Sequence, residues 1–148
     1  MLDGLPIDYS EFTFIDLGSG KGRALLMAAD YPFRRILGVE LLPELHRIAE
    51  ANIPTYRNQQ QKCFAIEARC GDAFSFEFPP EPTVLYLFNP FPESGLTKVV
   101  GGLESSLRHN PRPVYVVYHN PILEHVLSSS SALRRLTGNY QFAIYAKA

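Results

Sequence analysis

The run Phe14-Ile15-Asp16-Leu17-Gly18-Ser19-Gly20-Lys21-Gly22-Arg23 carries an apolar stretch into an acid and then into three glycines at alternate positions. A strand entering a tight glycine turn that opens a helix lets the backbone approach a ligand closely. Eighteen residues after Gly22, a second apolar run, Ile36-Leu37-Gly38-Val39, ends in Glu40. An acid at the tip of the second strand of a doubly wound sheet can accept hydrogen bonds from two ribose hydroxyls. Together these residues predict a nucleoside-containing cofactor. The glycine spacing narrows the choice. A dinucleotide fingerprint needs a third glycine where Arg23 stands, and a P-loop needs Ser or Thr after its lysine, whereas Lys21 is followed by Gly22.

The elements that must hold these residues alternate along the chain. A strand is expected at Thr13–Leu17 and a helix from about Lys21 to the Tyr31-Pro32 stop. A second strand spans Arg35–Glu40. The helix after it opens near Pro43, buries Leu45, Ile48 and Ala49 on one face, and ends or kinks at Pro54. Thr55–Lys62 reads as polar surface, and Cys63–Cys70 as a loosely alternating third strand followed by Gly71-Asp72-Ala73. Val84–Phe88 is apolar throughout, as a parallel strand buried on both faces should be. A helix over Glu93–Arg108 places Leu96, Val99, Val100, Leu103 and Leu107 in one core stripe. Val114–Tyr118 is a fifth strand, and Ile122–Leu127 a short helix. Ser128–Ser131 reads as a flexible loop, and Leu133–Tyr145 as a hairpin turning at Gly138-Asn139.

Composition sets the frame around this pattern. At 148 residues, with 46% apolar and 20% charged residues, the chain fits one soluble globular domain over 1–148. A net charge of −1 gives no electrostatic footprint for nucleic acid or an anionic membrane. Arg34-Arg35 and Arg134-Arg135 read as solvated faces. No apolar run approaches the roughly 18 residues of a membrane span, and the start of the chain lacks the form of a signal peptide. A cytoplasmic setting is therefore expected. Cys63 and Cys70 on a single strand would point to opposite faces and stay unpaired, as small core residues in a reducing compartment. His46, His109 and His125 fall on helices and are expected to face solvent. His119, in His119-Asn120-Pro121, reads as a surface-turn residue, with a base or substrate-orienting role as its alternative. No His/Cys/Asp/Glu cluster has the spacing of a metal site.

The pattern Asp16-x-Gly18-x-Gly20-x-Gly22, with Glu40-Leu41 in register after it, resembles that of the class I S-adenosylmethionine-dependent methyltransferases. The resemblance covers about Phe12 to Tyr145 and implies a Rossmann-like, doubly wound three-layer α/β sandwich. Its sheet would be mostly parallel and seven-stranded, in the order 3-2-1-4-5-7-6, with a C-terminal antiparallel hairpin. Many members carry one or two helices before the first strand, where this chain has only about 11 residues. The resemblance further implies that Asp16, Gly18, Ser19, Gly20 and Gly22 surround the methionine part of the cofactor. Glu40 and Leu41 would hold the ribose, Asp72 would accept from the adenine amino group, and Ala73 would offer a backbone N–H. Phe88-Asn89-Pro90-Phe91 is similar to the Asn/Asp-Pro-Pro-Tyr/Phe motif of amino-group methyltransferases, with Phe91 in the second proline slot. Asn89, Pro90 and Phe91 would then face the methyl acceptor, a small molecule or protein, with a nitrogen nucleophile slightly favoured.

Methyl transfer from a sulfonium needs alignment more than side-chain chemistry, because the leaving group is already activated; orientation alone can contribute about 7–11 kcal/mol. A general base is required only when the nucleophile arrives protonated. Two other functions compete. A nicotinamide-dependent oxidoreductase is favoured by Glu40 and disfavoured by Arg23, and a non-catalytic S-adenosylmethionine-binding module would need no acceptor site.

Overall fold

In the computed structural model, residues 1–88 and 91–148 are described. The sheet has seven strands in the order β3-β2-β1-β4-β5-β7-β6, numbered along the chain. The chain packs as two compact units, one of residues 6–73 and one of residues 1–5 with 74–148.

The 6–73 unit contains β1 (Thr13–Leu17), α1 (Arg23–Ala28), β2 (Arg35–Glu40), α2 (Pro43–Thr55) and β3 (Ile66–Cys70). β1 runs parallel to β2, with Asp16 opposite Gly38, and β2 runs parallel to β3, with Glu40 opposite Cys70. All five residues of β1 are buried, because elements cover both faces of a parallel strand. Phe14, Phe33, Tyr31 and Tyr9 pack as tilted and edge-on ring pairs at the amino end, with centroids 5.2–6.3 Å apart.

The other unit contains β4 (Thr83–Phe88), α3 (Glu93–His109), β5 (Val114–His119), α4 (Glu124–Ser128), β6 (Leu133–Gly138) and β7 (Phe142–Lys147). β4 and β5 are parallel; β7 is antiparallel to both β5 and β6. The α3 stripe Leu96, Val99, Val100, Leu103 and Leu107 is buried, each side chain contributing about 1.5–3 kcal/mol. Arg112 is also buried. Its guanidinium donates to the carbonyls of Glu81, Ser106 and Asn110 and to Ser106 Oγ, so four of its five N–H groups have partners.

Several local expectations differ from the structure. The third strand begins at Ile66: Cys63 is buried in a loop whose N–H donates to Ala29 O, and Cys70 is exposed on an edge strand. The two thiols therefore do not share a strand, and only Cys63 is core. α2 buries Ala49 alone, with Ile48 exposed, and it ends one residue after Pro54. His46 is not solvent-facing: its side chain is 14% exposed, and Nδ1 is buried without a hydrogen-bond partner among the described residues. Ser128 belongs to α4, and Ser130 is buried with its hydroxyl donating to Glu104 at 2.7 Å, so this stretch is a packed helix end. α1 starts only at Arg23, because Gly18, Gly20 and Gly22 all adopt positive φ. The hairpin turns through Asn139–Gln141, where Asn139 Oδ1 accepts from the N–H groups of Gln141 and Phe142.

Candidate functional site

The glycine loop is held by its own strand neighbours. The N–H groups of Gly18 and Ser19 both donate to Val39 O, at 2.8 and 3.0 Å, and Gly22 N–H donates to Ser19 O at 2.9 Å. Gly20 N–H donates to Glu40 Oε1 at 2.8 Å, and Leu42 N–H to Glu40 Oε2 at 3.0 Å. Glu40 thus pins the loop to the end of β2, and each of its oxygens keeps a second lone pair. Four of the five loop amides from Gly18 to Gly22 are consumed internally. A phosphate needs such amides as donors, so this loop is poorly suited to an anion.

The charges point the same way. Asp16, at the carboxyl end of β1, is 4% exposed, and burial followed by the nearby Glu40 carboxylate raises its pKa to about 7. The Glu40 carboxylate and Asp16, which is partly ionised near pH 7, beside a donor-poor loop make a site better suited to a cation than to an anion. There is also room: a Cβ built on Gly20 would meet nothing within 4 Å, and Leu41 beside Glu40 is 63% exposed. Gly38 is a supporting residue that no sequence motif singles out. A Cβ there would lie 2.6 Å from Leu25 Cδ1 and 2.7 Å from Ser19 Oγ, so only glycine lets the loop and α1 seat on β2. Ser19 Oγ is itself buried without a hydrogen-bond partner among the described residues, set inward against β2.

Gly71 N–H donates to Glu40 O at 3.0 Å, which brings the end of β3 to the end of β2 and sets Asp72, exposed, just beyond both. Ala73 opens the 3-10 turn Ala73–Ser75. Asp16, Gly18, Ser19, Gly20, Gly22, Glu40, Leu41, Asp72 and Ala73 therefore all lie at or just beyond the carboxyl ends of β1, β2 and β3, within one unit.

In the other unit, Asn89 and Pro90 lie outside the described residues. Phe91 meets Phe74 edge-on at 5.3 Å, and the Phe74 ring lies against Gly95, where a Cβ would fall 2.4 Å from Phe74 Cζ and 3.3 Å from Phe91 Cβ. His119 is the last residue of β5 rather than a turn residue. It is half-buried, 3.0 Å from Tyr86 Oη through Nδ1 and edge-on to the exposed Phe88 ring at 4.6 Å. Among the described residues no group of three or more His, Cys, Asp or Glu could hold a metal ion. No helix there is long and apolar enough to cross a membrane.

No protein-family model and no curated protein matches the chain in sequence. Solved structures do match it in three dimensions. An RNA methyltransferase from Salinibacter ruber in complex with S-adenosyl-L-homocysteine aligns over 99% of this chain and 85% of its own, at 22% identity and a TM-score of 0.61. The class I methyltransferase fold is present. Magnesium protoporphyrin IX methyltransferase from Synechocystis, with S-adenosylmethionine bound, aligns over 91% of this chain and 69% of its own, at 9% identity and a TM-score of 0.59. The ribosomal protein L11 methylase of Lactobacillus delbrueckii subsp. bulgaricus aligns over 92% and 69%, at 14% identity and a TM-score of 0.58. These neighbours act on RNA, a porphyrin and a protein, so the shared fold sets no acceptor class.

Proposed function

We propose that the chain is a class I S-adenosylmethionine-dependent methyltransferase, with residues 1–148 acting as one domain. The observation that carries this reading is the chemistry of the glycine loop. Its amides are spent on Val39, Glu40 and Ser19, while Asp16 and Glu40 supply negative charge. A cofactor with an ammonium and a sulfonium fits this site, whereas the pyrophosphate of a nicotinamide dinucleotide does not. When bound, S-adenosylmethionine supplies a methyl group already activated by the sulfonium charge. Asp16 would face the cationic methionine end, beside the loop of Gly18, Ser19, Gly20 and Gly22. Glu40 would use its remaining lone pairs on the ribose hydroxyls, with Leu41 packing beside them. Asp72 and Ala73 would bind the adenine edge.

Asn89, Pro90 and Phe91 would face an acceptor on a small molecule or protein, a nitrogen nucleophile being favoured by the likeness to the Asn-Pro-Pro-Phe motif. Two free cysteines, Cys63 and Cys70, support action in the reducing cytoplasm. Native mass spectrometry of freshly purified protein tests the reading, with retained S-adenosylmethionine or S-adenosylhomocysteine expected. Retained nicotinamide dinucleotide would refute it. Incubation with methyl-labelled S-adenosylmethionine and a panel of amines, alcohols, thiols and peptides separates an enzyme from a binding module: label transfer is expected, and tight cofactor binding without any transfer favours the module.

A further inference from the structure

The carboxyl ends of β4 and β5 hold a second constellation, made by Phe88, His119 and Tyr86. In the strand register Phe88 lies opposite His119, and His119 lies opposite Phe142 of β7. The ring is therefore fixed from both sides of its strand. The chain beyond it is fixed as well: Asn120 takes φ +55°, and its N–H donates to Gln141 O at 2.7 Å. A left-handed residue at the end of a strand reports a local constraint.

Tyr86 Oη and His119 Nδ1 are 3.0 Å apart. A phenol is the stronger donor of the two and an imidazole nitrogen the stronger acceptor, which favours the arrangement in which the hydroxyl donates to Nδ1 and the ring proton sits on Nε2. Burial holds the His119 pKa below its usual value, so the ring is neutral near pH 7. Tyr86 from β4 meets the ring at Nδ1, and β7 places the apolar Phe142 opposite His119. Among the described residues, Nε2 has no hydrogen-bond partner. Beside it the Phe88 ring is 53% exposed, which is unusual for a large apolar side chain at the end of a strand otherwise almost wholly buried.

We propose that Phe88 and His119 form an acceptor-recognition pair: Phe88 offers an apolar face to a planar ring, and His119 Nε2–H donates to a carbonyl oxygen or ring nitrogen on the edge of that ring. This rests on the methyltransferase reading and names its substrate class as a planar, heteroaromatic acceptor. His119 is a hydrogen-bond donor here and takes no proton from the nucleophile. Tyr86 is a positioning residue that acts through His119 by fixing its tautomer.

The test uses the full chain saturated with S-adenosylhomocysteine, with the histidines labelled with nitrogen-15. At pH 7 the His119 ring should show the Nε2–H neutral tautomer. Tyr86→Phe should raise the His119 pKa and populate the second tautomer, because the donor that favours the neutral ring is gone. Nicotinamide and adenosine, titrated as probes, should shift the His119 resonances. His119→Phe should weaken probe binding roughly threefold to tenfold, the usual worth of one hydrogen bond, and His119→Gln should restore most of it. A Nδ1–H tautomer, a pKa unmoved by Tyr86→Phe, binding unchanged in His119→Phe, or no binding of either probe would overturn the pair. Failure of the parent protein to take up S-adenosylhomocysteine at the outset would instead overturn the methyltransferase reading.

Discussion

Replacing Asp16 by Asn should strengthen the fold and weaken the site. Asp16 has a folded-state pKa of about 7 against 3.8 when unperturbed, and burial is the main cause. Because the folded value lies above the unfolded one, the folded state binds more protons between those two pH values. Stability is therefore lost as pH rises from about 4 to about 7. At about 1.4 kcal/mol for each pH unit, the full loss is roughly 4 kcal/mol, and roughly 3 kcal/mol of it falls between pH 5 and pH 8. Asn has nearly the same shape and no charge, so Asp16→Asn should show no such loss. Urea denaturation of parent and variant at pH 5, 6, 7 and 8 reads the difference directly. The stability advantage of the variant should grow with pH and level off above pH 7. A difference that is flat from pH 5 to pH 8, or a variant less stable than the parent at pH 8, would refute the placement of Asp16 as a desolvated acid. The same substitution removes a charge that a cationic cofactor needs, so cofactor affinity should fall while stability rises.

Other substitutions follow from the same geometry. Glu40→Ala removes the carboxylate that holds Gly20 and Leu42, and should weaken cofactor binding by about 1.5–3 kcal/mol in calorimetry. Unchanged affinity would refute its role. Gly38→Ala drives a methyl group to 2.6–2.8 Å from Leu25 and Ser19, and should destabilise the protein by about 1–3 kcal/mol in urea. Gly95→Ala pushes on the Phe74 ring, which is 39% exposed and can swing outward. Its stability cost should therefore be smaller than that of Gly38→Ala, and denaturation of the two variants side by side checks the order.

Much of the fold was legible because its signals are local. The bounds of β1 and β2 follow from apolar runs that end in acids, and the α3 stripe follows from helical spacing, which the structure reproduces residue for residue. The failures are long-range. The sequence shows Cys63 and Phe64 as two more apolar residues before Ile66, but Cys63 is drawn out of the strand by a backbone hydrogen bond to Ala29. The Ser128–Ser131 run reads as a loop until Ser130 finds Glu104, 26 residues away. His119 looks like a turn residue because Asn120-Pro121 follows it, and only the cross-strand pairing with Phe88 and Phe142 carries β5 one residue further. In the candidate site, the residue types around Asp16 and Glu40 pointed to a nucleoside-containing cofactor. The consumption of the loop amides, which tells a cation site from a phosphate site, needed the three-dimensional hydrogen bonds.

On the proposed reading, the glycine loop with Asp16 and Glu40 accepts S-adenosylmethionine and excludes dinucleotides. Isothermal titration of the purified full chain with S-adenosylhomocysteine and, separately, with NADH tests it most directly. One equivalent of S-adenosylhomocysteine should bind, with no heat from NADH. Saturable NADH binding together with no response to S-adenosylhomocysteine would contradict it.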